Sequence, residues 1–303
     1  RTGSWLGRPS RRRWHPRIAS VRLARPEADA PPGVATVQVD VVTDGGTERR
    51  SDAVTVEEPL EIRLVHGPDD GRRELNVAVT MRTPGDDAAL AIGFLYGEGV
   101  IRHASQVAGV VAEENVATVE LAQAVEFDPQ LLQRNTYTTS SCGICGKASI
   151  EAVRLHIPDH AGRDTMTVEP AVLRTLPERL REVQAAFART GGLHASGAFD
   201  RHGLLVAAAE YVGRHTALDK LIGRFLLQGA LPLTEHGLIF SGRASFELIQ
   251  KAAMAGCPFV AAIGPPSSLV VELAAEQRMT LVGFLQEARF NVYTLPHRVA
   301  AAG

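Results

Sequence analysis

Between His215 and Leu285 short apolar runs alternate with longer amphipathic ones, and this alternation constrains the fold more than any other feature. His215 to Gln228 predicts a helix that stops at Gly229. A strand over 237–240, a helix over 245–255, a strand over 258–263, a helix over 267–277 and a strand over 280–285 follow. Short apolar runs bounded by turn residues are what buried strands look like in sequence. Strands that alternate with helices form layered α/β sheets with parallel pairs. Just upstream, Leu193–Phe199 and Leu204–Ala209 flank Asp200-Arg201-His202-Gly203 and predict a hairpin. Val168–Arg189 places Val172, Leu173, Leu176, Leu180, Val183, Ala186 and Phe187 on one face, which predicts a single amphipathic helix.

The first half has a different texture. Val37, Val39 and Val41 alternate with other residues and predict a strand, and Gly45-Gly46 marks a turn. Val54–Val65 reads as one or two strands interrupted at Pro59, and Asn76–Met81 as another. Thr83-Pro84-Gly85-Asp86-Asp87 opens a helix over Ala88–Tyr96 that ends at Gly97 or Gly99. Val107–Val111 and Val116–Leu121 predict a further hairpin. The expected organisation is a basic tail over 1–33, a strand-rich α+β domain over 34–135 and an α/β domain over 136–303. The tail has eight arginines in its first 25 residues, no acid before Glu27, and Pro26, Pro31 and Pro32. That composition reads as a disordered segment, with a transit peptide or a tether for an anionic partner as the sharper alternatives.

Composition excludes some functions. The net charge of −2 gives no support to nucleic-acid binding. No apolar stretch approaches the ~18 residues that a membrane span needs, and no secretory core follows the N-terminal arginines. Three cysteines do not make a disulfide framework, and their scarcity fits a reducing cytoplasm.

Two of those cysteines lie in Ser140-Ser141-Cys142-Gly143-Ile144-Cys145-Gly146-Lys147, ahead of a helix expected over Ala148–Leu155. A helix N-terminus and a nearby lysine favour the thiolate, which is the reactive form. The glycines leave room for a partner's sulfur. Sulfur transfer, dithiol–disulfide exchange and zinc binding all fit these residues. For zinc, His194 in Gly-Gly-Leu-His is the better third ligand, because Cys257 lies in an apolar run and reads as core. Zinc deaminases pair such ligands with a glutamate in His-x-Glu, and here that position is Ser196. That substitution and the reversed order of the ligands argue against deamination; a zinc-dependent deaminase-like hydrolase on Cys142, Cys145 and His194 and a non-catalytic cofactor-binding chaperone are the rival readings.

Anion sites are expected downstream. Ser241-Gly242-Arg243 joins a strand to a helix, where close backbone approach, a helix N-terminus and a guanidinium receive phosphate together. Val212-Gly213-Arg214-His215 opens a helix in the same way, with Asp219 and Lys220 following. Gly264-Pro265-Pro266-Ser267-Ser268 is explained by a rigid turn and N-cap.

At these segments the chain resembles the formate dehydrogenase accessory sulfurtransferases, the FdhD/NarQ family. The matching stretches are EEPLEIRL (57–64), VTMRTPGDD (79–87), SSCGICGKASIEA (140–152), TGGLHA (190–195), VGRH (212–215), ALDKLIG (217–223), SGRASFELIQKA (241–252), PSSLVVELA (266–274), TLVGFL (280–285) and RFNVYT (289–294). The resemblance implies a sulfur carrier loaded by a cysteine desulfurase. Its cargo is the bis-molybdopterin guanine dinucleotide form of the molybdenum cofactor, sulfurated before entry into the formate dehydrogenase catalytic subunit. The resemblance puts the persulfide on Cys142, with Cys145 in support, and gives the protein no tightly bound metal of its own. It maps cofactor binding onto Phe284, Leu285, Gln286, Glu287, Ala288 and Arg289, and Ser241, Gly242, Arg243, His194 and Arg214 are the expected additions. It also implies a cytidine-deaminase-like fold with an added N-terminal domain, in a homodimer. The chain departs from the pattern at Gln286-Glu287, where a basic residue and a glycine are usual. It departs again at Tyr211, where an acid is usual, and at Ser196-Gly197, where small apolar residues are.

Overall fold

The structure is a computed structural model, and it describes residues 32–127, 157–158, 160 and 166–299. Cys142 and Cys145 lie outside the described residues, as do most of the tail and the helix expected over 148–155.

The chain enters through a hairpin of β1 (Val34–Thr43) and β2 (Gly46–Thr55). Val37, Val39 and Val41 lie opposite Asp52, Arg50 and Glu48, so each valine has a polar or charged neighbour across the ladder. Among the described residues only the base of the hairpin is anchored. There Val34 packs with Ala186 and Leu193, and Thr55 Oγ1 donates to Thr190 Oγ1 at 3.1 Å.

A four-stranded sheet follows in the order β4-β3-β6-β5, from β3 (Glu58–His66), β4 (Arg73–Arg82), β5 (Val107–Glu113) and β6 (Val116–Leu121). The strand break lies at Val56-Glu57 and Pro59 is inside β3, a correction to the expected interruption at Pro59. Pairing of β3 with β6 begins only at Glu61. At Pro59 the strand therefore has a ladder on one side alone, where a proline is tolerated. One face of this sheet buries Leu60, Ile62 and Leu64 against helix α1 (Asp87–Gly97).

The second half forms a six-stranded mixed sheet in the order β12-β11-β10-β9-β7-β8. Its strands are β7 (His194–Phe199), β8 (Leu205–Tyr211), β9 (Gly237–Phe240), β10 (Phe259–Ala262), β11 (Thr280–Gly283) and β12 (Asn291–Thr294). Strands β9, β10 and β11 run parallel, as the alternation of strands and helices requires. Helices α4 (Arg214–Leu227), α5 (Phe246–Met254) and α6 (Ser268–Glu276) connect them. The single helix expected over 168–189 is corrected to two, α2 (Pro170–Glu182) and α3 (Ala185–Thr190). The break has a tertiary cause: the Glu210 carboxylate accepts the N–H groups of Ala186 and Phe187 at 3.1 and 2.8 Å and starts a new helix there.

The six-stranded sheet is covered on both faces. Leu238, Phe240, Val260, Ala262 and Leu281 join the large cluster that also holds Leu218, Leu221, Ile249 and the core of the four-stranded sheet. Ile239, Phe259, Ala261 and Val282 face the other way, against Leu173, Leu176 and Leu180 of α2. Cys257 is buried as expected, its thiol donating to the carbonyls of His236 and Phe259. The two sheets meet where α1 crosses α4 at two glycines. A Cβ on Gly93 would lie 1.7 Å from the Asp219 carbonyl oxygen, and one on Gly223 would lie 1.8 Å from that of Ala89. Among the described residues no helix is long and apolar enough to cross a membrane.

Candidate functional site

Because β9, β10 and β11 are parallel, the loops that leave them open on one edge of the sheet. Strand β7 runs antiparallel to β9, which brings its first residue, His194, to the same edge. His194 pairs with Tyr211, the last residue of β8, and Arg214 follows at the start of α4. The edge thus gathers His194, Arg214, the Ser241-Gly242-Arg243 turn and the 284–289 segment, which arrive from four strands. Crevices outside the carboxyl ends of strands are where open α/β sheets bind ligands.

Peptide groups lace these loops together. The Gly264 N–H donates to the Gly242 carbonyl at 2.9 Å, and the Phe284 N–H donates to the Gly264 carbonyl at 3.2 Å. Only glycine fits at 264, since a Cβ there would lie 2.9 Å from the Cα and N of Arg243. Ser241 is tied to β7 twice: its hydroxyl accepts the Ala195 N–H at 2.8 Å, and its own N–H donates to the Ala195 carbonyl at 3.0 Å. Its side chain therefore fixes the turn. Gly242 lies against the His194 ring, whose Nδ1 is 3.4 Å from where a Cβ would stand.

The 284–289 segment is mixed in character. Phe284 is 37% exposed and sits at a φ of 52°, a left-handed conformation that few non-glycine residues adopt. Leu285 is fully buried in the core with Val282, and its N–H donates to the Ala262 carbonyl at 3.1 Å, so its side chain is no ligand contact. Gln286, Glu287, Ala288 and Arg289 form an exposed tight turn, closed by the Gln286 N–H donating to the Arg289 carbonyl at 2.9 Å.

Behind His194 and Arg214 lies a line of charge that runs into the core. Arg214 Nε donates to His215 Nε2 at 3.3 Å, and the same nitrogen is 2.9 Å from Ser245 Oγ. His215 Nδ1 is 3.5 Å from Glu247, Glu247 is 2.9 Å from Lys251 Nζ, and Lys251 Nζ is 2.7 Å from the Asp219 carboxylate. Burial, reinforced by Arg214, holds His194 below the usual histidine range. Burial pushes His215 down to about 4, with Lys251, Arg214 and His194 acting in the same direction and Glu247 against it. Both rings are therefore neutral at neutral pH. Burial opposes the charge on Lys251, but Asp219 and Glu247 outweigh it and raise the ammonium above its usual value. Burial lifts the Asp219 carboxyl to about 7 against the pull of Lys251.

The FdhD/NarQ family model matches residues 56–300, a span that includes every element of this edge. The chain belongs to the FdhD/NarQ family. It is 50% identical over 273 residues to the sulfur carrier protein FdhD of Streptomyces avermitilis, a match that covers 86% of this chain and 93% of that protein. It is 48% identical over 270 residues to the protein of the same name in Streptomyces coelicolor, with the same coverage. It is 42% identical over 293 residues to the one in Anaeromyxobacter dehalogenans, covering 90% of this chain and 97% of that one. The crystal structure of a Desulfotalea psychrophila protein ascribed to the formate dehydrogenase accessory proteins superposes with a TM-score of 0.71. It has 23% identity and covers 89% of this chain and 100% of that one, which establishes the shared fold.

Within this member of the FdhD/NarQ family, Ser245, Glu247 and Lys251 were not singled out by the sequence, and Asp219 only as a neighbour of Arg214. A signal was present. His215 and Asp219 are four residues apart on α4, and Glu247 and Lys251 are four apart on α5, so each pair shares a helix face. Those faces are the buried ones, where an unexplained charge marks a built feature. Among the described residues no group of His, Cys, Asp and Glu is arranged to hold a metal ion.

Proposed function

We propose that this chain is a sulfur carrier that accepts sulfur from a cysteine desulfurase as a persulfide on Cys142. With Cys145 in support, it passes that sulfur to the bis-molybdopterin guanine dinucleotide form of the molybdenum cofactor before the cofactor enters formate dehydrogenase. The observation that carries this reading is the 50% identity to a named sulfur carrier over 93% of that protein, in a chain that has Cys142-Gly143-Ile144-Cys145.

The chemistry is thiol exchange. The Cys142 thiolate attacks the terminal sulfur of the donor persulfide, the donor's S–S bond breaks, and the donor cysteine leaves as a thiolate. Cys142 then holds the extra sulfur until an acceptor takes it. The edge described above suits the cargo's anionic parts. Arg243 is an exposed guanidinium able to grip diphosphate oxygens in bidentate fashion, and Arg214 adds positive charge beside it. Gly242 lets a ligand approach the backbone, beside the first turn of α5.

The test is sulfur loading. Wild-type protein mixed with a cysteine desulfurase and labelled cysteine should gain a reducible adduct of about 32 Da, one sulfur atom, on the peptide that contains Cys142. Cys142→Ala should remove it. Loading of the alanine variant to the wild-type level would refute the assignment.

A further inference from the structure

Ser245 is the N-cap residue of α5, yet its hydroxyl makes no capping bond to that helix. Serine favours this position because its oxygen takes one of the first helical N–H groups, so an N-cap serine that does not cap is committed elsewhere. Here the oxygen lies 2.9 Å from His215 Nε2. Arg214 settles the direction of that bond. Its Nε–H points at the same ring nitrogen from 3.3 Å, and a guanidinium only donates. Nε2 is therefore the bare nitrogen, the ring proton sits on Nδ1 facing Glu247, and Ser245 donates.

The groups behind His215 favour this arrangement electrostatically: the Nδ1 contact with Glu247 is a charge contact at 3.5 Å, not a hydrogen bond. Side-chain exposure falls from 15% at His215 and 13% at Glu247 to 3% at Lys251 and 1% at Asp219. The line is thus fixed in the core at one end and open at the strand edge at the other. Among the described residues the charged and titratable neighbours of His215 are Arg214 on α4, Glu247 and Lys251 on α5 and His194 on β7; burial, with Lys251, Arg214 and His194, keeps its ring neutral against the pull of Glu247.

We propose that Asp219, Lys251, Glu247 and His215 form a positioning relay that makes Ser245 Oγ a hydrogen-bond acceptor at the strand edge. This acceptor selects ligands that carry an N–H or O–H group beside their anionic part. The hydroxyl has one proton, and His215 takes it, so only lone pairs face outward. Arg243 on the same edge is exposed and offers donors alone. A bare phosphate satisfies the donors and gains nothing from Ser245, whereas a nucleotide can satisfy both. The inference rests on the cargo reading above and adds a specificity-determining residue to it.

Two measurements test it. Ring 15N shifts of His215 should show a neutral imidazole protonated on Nδ1 from about pH 5 to 8. A proton on Nε2, or titration near the ordinary histidine value, would overturn the relay whether or not the protein carries sulfur. In calorimetric binding, Ser245→Ala should bind guanosine diphosphate about tenfold more weakly, the loss of one good hydrogen bond, and inorganic pyrophosphate as the wild type does. Ser245→Thr, which keeps the hydroxyl, should restore the preference. Deoxyguanosine and inosine diphosphates then separate a ribose hydroxyl from the purine amino group as the donor. Equal weakening towards pyrophosphate, no weakening at all, or a wild type that binds neither ligand would each overturn the proposal. A persulfide on Cys142 in the same preparation would leave the sulfur-carrier reading standing, and its absence beside the expected binding pattern would remove that reading alone.

Discussion

Strands β9, β10 and β11 are four residues long and buried at every position, whereas β3 and β6 run for nine and six residues and bury only alternate ones. The difference follows from what covers each sheet. The six-stranded sheet is packed on both faces, so its strands read as continuous apolar runs. The four-stranded sheet packs α1 on one side only, and its other face leaves Val79 68%, Met81 48% and Val111 59% exposed. The lesson is a division of labour. The doubly covered sheet is rigid enough to aim loops at a ligand, and it carries every candidate residue in the described part of the chain. The singly covered sheet contributes α1, which braces α4 from behind.

That division can be broken at its joint. Gly93→Val forces a side chain into the Asp219 carbonyl, so α1 and α4 have to part. We expect a cost above ~3 kcal/mol and loss of a cooperative unfolding transition in urea. The contrast between the sheets is sharpened by truncation on each. Leu238→Ala in β9 should cost about 2–5 kcal/mol, while Val79→Thr on the open face of β4 should stay within about 0.5 kcal/mol, both read from denaturant midpoints.

The pH dependence of the relay gives the next largest effect. His215 has a folded-state pKa of about 4 against an ordinary value of 6.5, so the unfolded chain binds the extra proton first as pH falls. The stability contributed by the neutral ring is full above about 6.5 and is lost towards pH 4, by up to roughly 3 kcal/mol. Unfolding midpoints of wild type and His215→Asn, measured across that window, should converge on the acid side. A constant gap would show that the ring is not held neutral. A small effect also belongs to the Asp86–Arg224 pair, which joins the start of α1 to α4 at the surface. Asp86→Asn should cost less than about 1 kcal/mol and be masked by added salt.

Much of this was legible because local signals and tertiary demands agree. The alternation after His215 placed β9, β10, β11, α4, α5 and α6 within a few residues, and the valine alternation placed β1. The failures occur where a distant group decides. Nothing near Val183 announces a helix break, because the cap comes from Glu210 on another strand. β12 is not legible as a strand, since Asn291–Thr294 has no apolar run of its own and takes its register from β11. The edge residues His194, Arg214 and Ser241-Gly242-Arg243 were visible as types suited to anions, but which of them stand together follows from strand direction. The relay was the least visible part. Its spacing is ordinary for exposed helical ion pairs, and only packing shows that Lys251 and Asp219 are sealed in the interior.

The backbone hydrogen bonds that join Gly242 to Gly264 and Gly264 to Phe284 have a consequence for how cargo is received. Three loops sharing such links cannot close one at a time around a guest, so the rim meets it already shaped and little freedom is lost on binding. Lengthening any one of them by a residue would misalign the other two. Family members that accommodate a bulkier cargo are therefore expected to do so by exchanging side chains along this rim, keeping its loop lengths fixed.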